Sequence, residues 1–174
     1  MEPDMKIFIR LLTILAVFMA MAITIRAEEQ GRREFSQFSA ILPNGWDGDE
    51  QTGFISDNPD EYQLTLGLTR DDNFVAQVSV FLLPNKPKAT AEKAARQLAK
   101  AQGDASEPRQ EGNFWVFTGE PRTRAVKGRA QTLVNATPET MLIIIAQDPE
   151  NLGAAGIVQS LRGLTPIAAS LLGR

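Results

Sequence analysis

The stretch YQLTLGLT, residues 62–69, alternates strictly, with Tyr62, Leu64, Leu66 and Leu68 on one parity and Gln63, Thr65, Gly67 and Thr69 on the other. A period of two is that of a half-buried β-strand, whose successive side chains point to opposite faces. The preceding DNPDE, residues 57–61, is a dense turn signal, and Arg70–Asn73 turns the chain again. Phe74–Leu83 follows and is apolar on both parities, with Phe74, Val78, Val80 and Leu82 against Val75, Phe81 and Leu83. Such a strand expects cover on both faces.

The flanking segments extend the pattern. Phe35–Leu42 reads as a strand stopped by Pro43, which has no N–H for a ladder, and Gln51–Ser56 as a short second strand. After the Pro84–Lys88 loop the period becomes 3.6: Ala91, Ala94, Ala95, Leu98 and Ala99 share one helical stripe, Thr90 can cap its start and Gly103 its end. Three further strands are predicted at Asn113–Thr118, Arg124–Asn135 and Met141–Gln147. The last is a continuous apolar run that suits a central strand, although its composition would also suit a buried helix. Asp148, Pro149 and Glu150 have the form of a helix start, with Leu152, Ala155, Ile157, Val158 and Leu161 toward the sheet. Runs of strands separated by helices predict an α+β fold with a mainly antiparallel sheet of about six to seven strands. Apolar residues on both faces of several strands predict a helix on each face, a three-layer α/β/α sandwich.

The N-terminus reads as an export signal over residues 1–27. Lys6 and Arg10 form a basic region, Leu11–Ile25 is apolar and uncharged, and Ala27 precedes Glu28 and Glu29. As a helix the apolar run reaches about 22 Å, short of the ~30 Å hydrocarbon core. Cleavage is expected after Ala27, with Ala22 as a second site. The protein would then be periplasmic or secreted, and an uncleaved signal would make an N-terminal membrane anchor instead. Residues 28–34 are a flexible lead-in, 35–164 a single domain, and 165–174 a C-terminal tail whose Ile167, Leu171 and Leu172 could dock on the domain or on a partner.

Two absences exclude whole chemistries. The chain has no histidine and no cysteine, which removes Ser-His-Asp and Cys-His nucleophiles, thiolate redox chemistry, disulfides and imidazole- or thiolate-bound zinc. The net charge is −3 with no basic run, so the footprint of a nucleic-acid binder is missing.

Asp47, Asp49 and Glu50, with Asp57, Asp60 and Glu61 nearby, offer a partial oxygen shell for calcium, but their spacing is not that of an EF-hand. The competing reading is two hydrated turns. A glycosidase would need two carboxyls about 5–10 Å apart in a sugar-sized cleft, for which the sequence carries no cue. No catalytic, metal or cofactor residue is assigned. Arg124, Lys127 and Arg129, approached by Arg122, suit recognition of an acidic partner or protection of an exposed strand. Trp46, Phe114, Trp115 and Phe117 suit either the core or an apolar patch. The candidate partner surface is therefore Trp46, Trp115, Arg124, Lys127 and Arg129.

The run F-x-x-F-x-A-x-L-P-N-G-W from Phe35, then a strand meander, an Ala-rich helix, aromatic strands, an apolar strand and a final helix ending in Ser160-Leu161, resembles the PsbP-like superfamily, also called the PsbP/DcrB-like fold. Phe38, Pro43, Gly45, Trp46 and Leu161 carry the resemblance, which covers roughly residues 35–164 and suits an exported bacterial member. It implies an antiparallel sheet between helices and a non-enzymatic role in protein association or assembly, and it supplies no catalytic residues. A small carboxylate- or calcium-dependent enzyme and a small-ligand carrier are the alternatives, the carrier requiring an apolar pocket between sheet and helix.

Overall fold

The strict alternation becomes a hairpin, β4 (Tyr62–Arg70) and β5 (Asn73–Pro84), in a computed structural model that describes residues 31–122 and 126–173. Its turn residues Asp71 and Asp72 have φ of 51° and 60°. Positive φ at both central positions matches the right-handed twist of the flanking strands, and Asp tolerates it. The export signal and its cleavage sites lie outside the described residues.

The other elements are β1 (Arg32–Glu34), β2 (Phe38–Ile41), β3 (Trp46–Thr52), α1 (Ala91–Ala101), β6 (Arg109–Glu111), β7 (Phe114–Gly119), β8 (Ala130–Ala136), β9 (Thr140–Gln147), α2 (Ala154–Ser160), β10 (Arg162–Gly163) and α3 (Pro166–Leu172). Seven strands form one sheet in the order β3-β4-β5-β9-β8-β7-β6, and β1-β2-β10 form a small one. Every pairing in the large sheet is antiparallel. The apolar run at 141–147 is β9, in the middle of that order.

On one face of the large sheet Leu64, Leu66, Val78, Val80, Leu142 and Ile144 pack against Phe38 of β2, Ile157 of α2, and Leu161 and Leu171. Removing each such side chain from water contributes about 1.5–3 kcal/mol. On the opposite face the alanine stripe of α1, Ala94, Ala95 and Ala99, lies on Phe117 and Val134. Small side chains let that helix sit close to β7 and β8. Thr90 caps it, its hydroxyl accepting the Lys93 N–H at 3.2 Å.

These observations correct the expected three-layer sandwich with a helix on each face. Among the described residues the fold is sheet-dominated: two sheets, with helices of 11, 7 and 7 residues. One layer is a small sheet with two short helices, and α1 sits over the β7–β8 end alone. On β4 and β5 the second parity is polar at Gln63, Thr65, Gln77 and Ser79, and its Phe81 packs on Phe54, with ring centroids 5.8 Å apart.

Other boundaries shift too. Trp46–Thr52 is a strand rather than a turn, so the three acids lie on a sheet edge. Of the strand expected over 124–135, Ala130–Ala136 forms β8. The helix signalled at Asp148 begins at Ala154. The Asp148 carboxylate reaches across the loop to accept the N–H groups of Leu152, Gly153 and Ala154 at 2.7, 3.0 and 2.9 Å. Pro166–Leu172 is helical, with Leu171 and Leu172 buried in the main core.

Candidate functional site

The residues singled out from the sequence are dispersed. Trp46 is 6% exposed and its indole N–H donates to the Leu152 carbonyl at 3.0 Å, tying β3 to the α2 approach. Trp115 is half-buried against the α1 cluster, on the other face of the sheet. Arg124 lies outside the described residues. Lys127 is exposed. Arg129 is exposed as well, paired with the Asp104 carboxylate and donating to the Thr118 hydroxyl at 3.2 Å. Trp46 and Arg129 sit four strand spacings apart, roughly 19 Å across the sheet.

The acids diverge as well. Along β3, Asp47 and Asp49 take one parity and Glu50 the other, beside Leu64. The Arg33 side chain, with help from the Gly48 N–H at 2.8 Å, holds the Asp47 carboxyl below its ordinary range. Burial pushes Glu50 up, but the Ser36 N–H, the Tyr62 hydroxyl and the Ser36 hydroxyl, at 2.9, 2.9 and 3.0 Å, outweigh it and hold this carboxyl low. Burial, reinforced by Glu50, raises the Tyr62 hydroxyl far above the ordinary phenol value. Glu61 is held low chiefly by the Ser56 hydroxyl, against burial, and also accepts the N–H groups of Ile55 and Ser56 at 2.9 and 3.0 Å. Glu61 is thus a strut with both oxygens engaged, and Glu50 one that gathers three hydrogen bonds on a single oxygen. Among the described residues no group of three or more acids is placed to hold a metal ion.

A different place gathers chemistry. Where β4 begins and β5 ends, a cleft of about 370 Å³ opens between the large sheet and the start of α3. Tyr62 and Leu82 floor it, Pro59, Pro84 and Ile167 wall it, and Gln37, Thr52, Asp60, Glu139 and Thr140 supply its polar groups. Ile167 is 55% exposed and Leu164, one turn earlier, 45%.

Each wall is fixed by hydrogen bonds. Glu61 closes the 55–61 loop that carries Pro59 and Asp60. Asn85, buried beside Pro84, donates to the carbonyls of Ala89 and Thr137 at 2.9 and 2.6 Å and accepts the Ala89 N–H at 3.0 Å. Its own N–H donates to the Glu139 carbonyl at 2.7 Å, so one side chain and one amide hold the Pro84 and Glu139 walls together. Gln37 accepts the Leu164 N–H at 2.9 Å on its carbonyl and the Thr165 hydroxyl at 2.7 Å on its side chain, which places Ile167. A site with locked walls loses little ordering entropy when it is filled.

The sequence marked Ile167 as able to dock, but not where. The cleft joins positions 37, 52, 59, 60, 62, 82, 84, 139, 140 and 167: the β-pairing of Thr52 with Tyr62, Tyr62 with Leu82, and Pro84 with Thr140 gathers one side, and the Gln37 bonds to Leu164 and Thr165 bring in the other.

Comparison with known proteins gives little to set beside this site. No protein-family model matches the chain. No curated protein matches it. Among solved structures it is similar to cyanobacterial PsbP (CyanoP) from Synechocystis sp., at 13% sequence identity and a TM-score of 0.42, over 76% of this chain and 91% of that one.

Proposed function

We propose that this chain is a non-catalytic binding module that acts through protein association and seats its partner in the cleft at Tyr62, Leu82 and Ile167. One observation carries the reading: Ile167, 55% exposed, stands in water beside buried Tyr62 and Leu82, on walls that buried hydrogen bonds hold in place. Exposed apolar surface rimmed by polar groups is the usual mark of an interaction site, and a rigid anchor pocket is where binding energy concentrates. An assembly-accessory role for an exported protein accommodates this site, with the residues 1–27 acting as the export signal.

Capture from the native periplasm with tagged protein tests it. Ile167→Asp leaves the core intact because Ile167 is exposed, so the variant is expected to melt as the parent does and to lose the partner. No reproducible partner for the parent, or the same partner on Ile167→Asp, would overturn the proposal. N-terminal sequencing of the exported protein is expected to begin at Glu28, and an intact Met1 would end the cleaved-signal reading.

A further inference from the structure

Resting on that docking reading, we propose that the occupant of the cleft is a basic segment of the partner protein, with an Arg or Lys set against Asp60 and Glu139 and a neighbouring apolar side chain against Ile167. The lining holds two carboxylates and no cation. Among the described residues neither carboxylate has an ion-pair partner, whereas Asp47, Glu92, Asp104, Glu107, Glu111 and Glu150 do. Their backbones are pinned all the same: the Asp60 N–H donates to the Asn58 side chain at 3.1 Å and the Glu139 N–H to the Thr137 hydroxyl at 3.4 Å. Both side chains are therefore carried on ordered turns with their acceptor oxygens uncommitted.

Arg and Lys fit such a place on both counts. Their methylene stems cover apolar surface like that of Pro59, Pro84 and Ile167 while the charged head reaches a carboxylate, and an Arg fork can take a carboxylate by two parallel hydrogen bonds. An acidic segment would meet like charge.

Fluorescence anisotropy with two labelled octapeptides, alternating Leu-Arg and alternating Leu-Glu, provides the test. The Leu-Arg peptide is expected to bind the full-length protein, and more weakly as salt rises. Asp60→Asn with Glu139→Gln keeps shape and exposure, and is expected to weaken that binding at least about tenfold without moving the melting temperature. Ile167→Ser weakens it too, and the Leu-Glu peptide does not bind. Equal binding of both peptides, or unchanged Leu-Arg binding by the double amide variant, overturns the proposal. A native partner retained by the double amide variant but lost by Ile167→Asp would leave the docking site standing and remove its charge preference. A partner retained by both would remove the site as well.

Discussion

The two faces of β4 and β5 come from the same residues in alternation and behave as different materials. On one parity Leu64, Leu66, Val78 and Val80 are wholly buried under β2, α2 and α3. On the other, Gln63 donates to the Thr65 hydroxyl at 3.0 Å and Gln77 to the Ser79 hydroxyl at 2.8 Å, two same-strand pairs, while Ser79 is 8% exposed and the Gln77 Oε1 is buried without a hydrogen-bond partner. The first face is an apolar core and the second a polar layer. The cover stops where the strands end, and the cleft is the gap left at that margin.

The largest test of this contrast is a pair of substitutions one residue apart. Leu64→Ala opens a cavity in the covered face and is expected to cost about 2–5 kcal/mol, read from urea unfolding. Thr65→Ala, on the polar face, is expected to stay within about 1 kcal/mol. Similar losses for the two would mean that both faces are core.

A smaller effect separates two glycines. A Cβ on Gly163 would lie 2.1 Å from the Ala169 backbone nitrogen, inside the covering layer, where neither chain segment can yield without moving the other. A Cβ on Gly67 would lie as close, 2.1 Å, to the ring of Phe74, an exposed side chain free to swing aside. Gly163→Ala is expected to cost about 1–3 kcal/mol. Gly67→Ala is expected to be near neutral, because the strand also gains from the lower backbone entropy of Ala, about 0.5–1 kcal/mol. Equal thermal shifts would break the distinction between a backbone contact and a side-chain contact.

What a reader of the sequence could see follows the same division. The alternation of β4 and the capped helix after Thr90 are written in local periodicity, which one strand or helix carries by itself, whereas the apolar run at 141–147 suited a strand or a buried helix until its pairing with β5 and β8 decided it. The strand at Trp46–Thr52 is not: Asp, Gly and Glu are poor strand formers, and they are accommodated here because β3 is an edge strand whose charges keep other strands off. Trp46 was legible as an aromatic suited to the core or to a surface patch; its partner, the Leu152 carbonyl, was not legible, since that contact spans 106 residues. The cleft was invisible for the same reason. Asp60 reads as one acid of a hydrated turn, and nothing in its neighbourhood points to Glu139.

The smallest effect sharpens the contrast at its margin, on β3. Glu50 lies on the covered parity, where its carboxylate receives Ser36, at the entry to β2, and Tyr62, at the start of β4. These bonds favour the ionised form, so its pKa in the folded protein lies below the unfolded value. For a depressed carboxyl the stabilisation is complete above the unfolded value, about 4.3 for Glu, and is lost as pH falls through the folded one. Glu50→Gln is therefore expected to be less stable than the parent at pH 7, modestly, because the group is exposed and water screens it. The two proteins should converge as pH falls below about 4. Asp47 and Glu61 titrate in the same window but are present in both proteins, so they cancel in the difference. Urea midpoints measured for the pair from neutral to acidic pH give the answer. A gap that stays constant with pH would mean that Glu50 holds Ser36 and Tyr62 by shape rather than by charge, and the margin of the covered face would then owe nothing to ionisation.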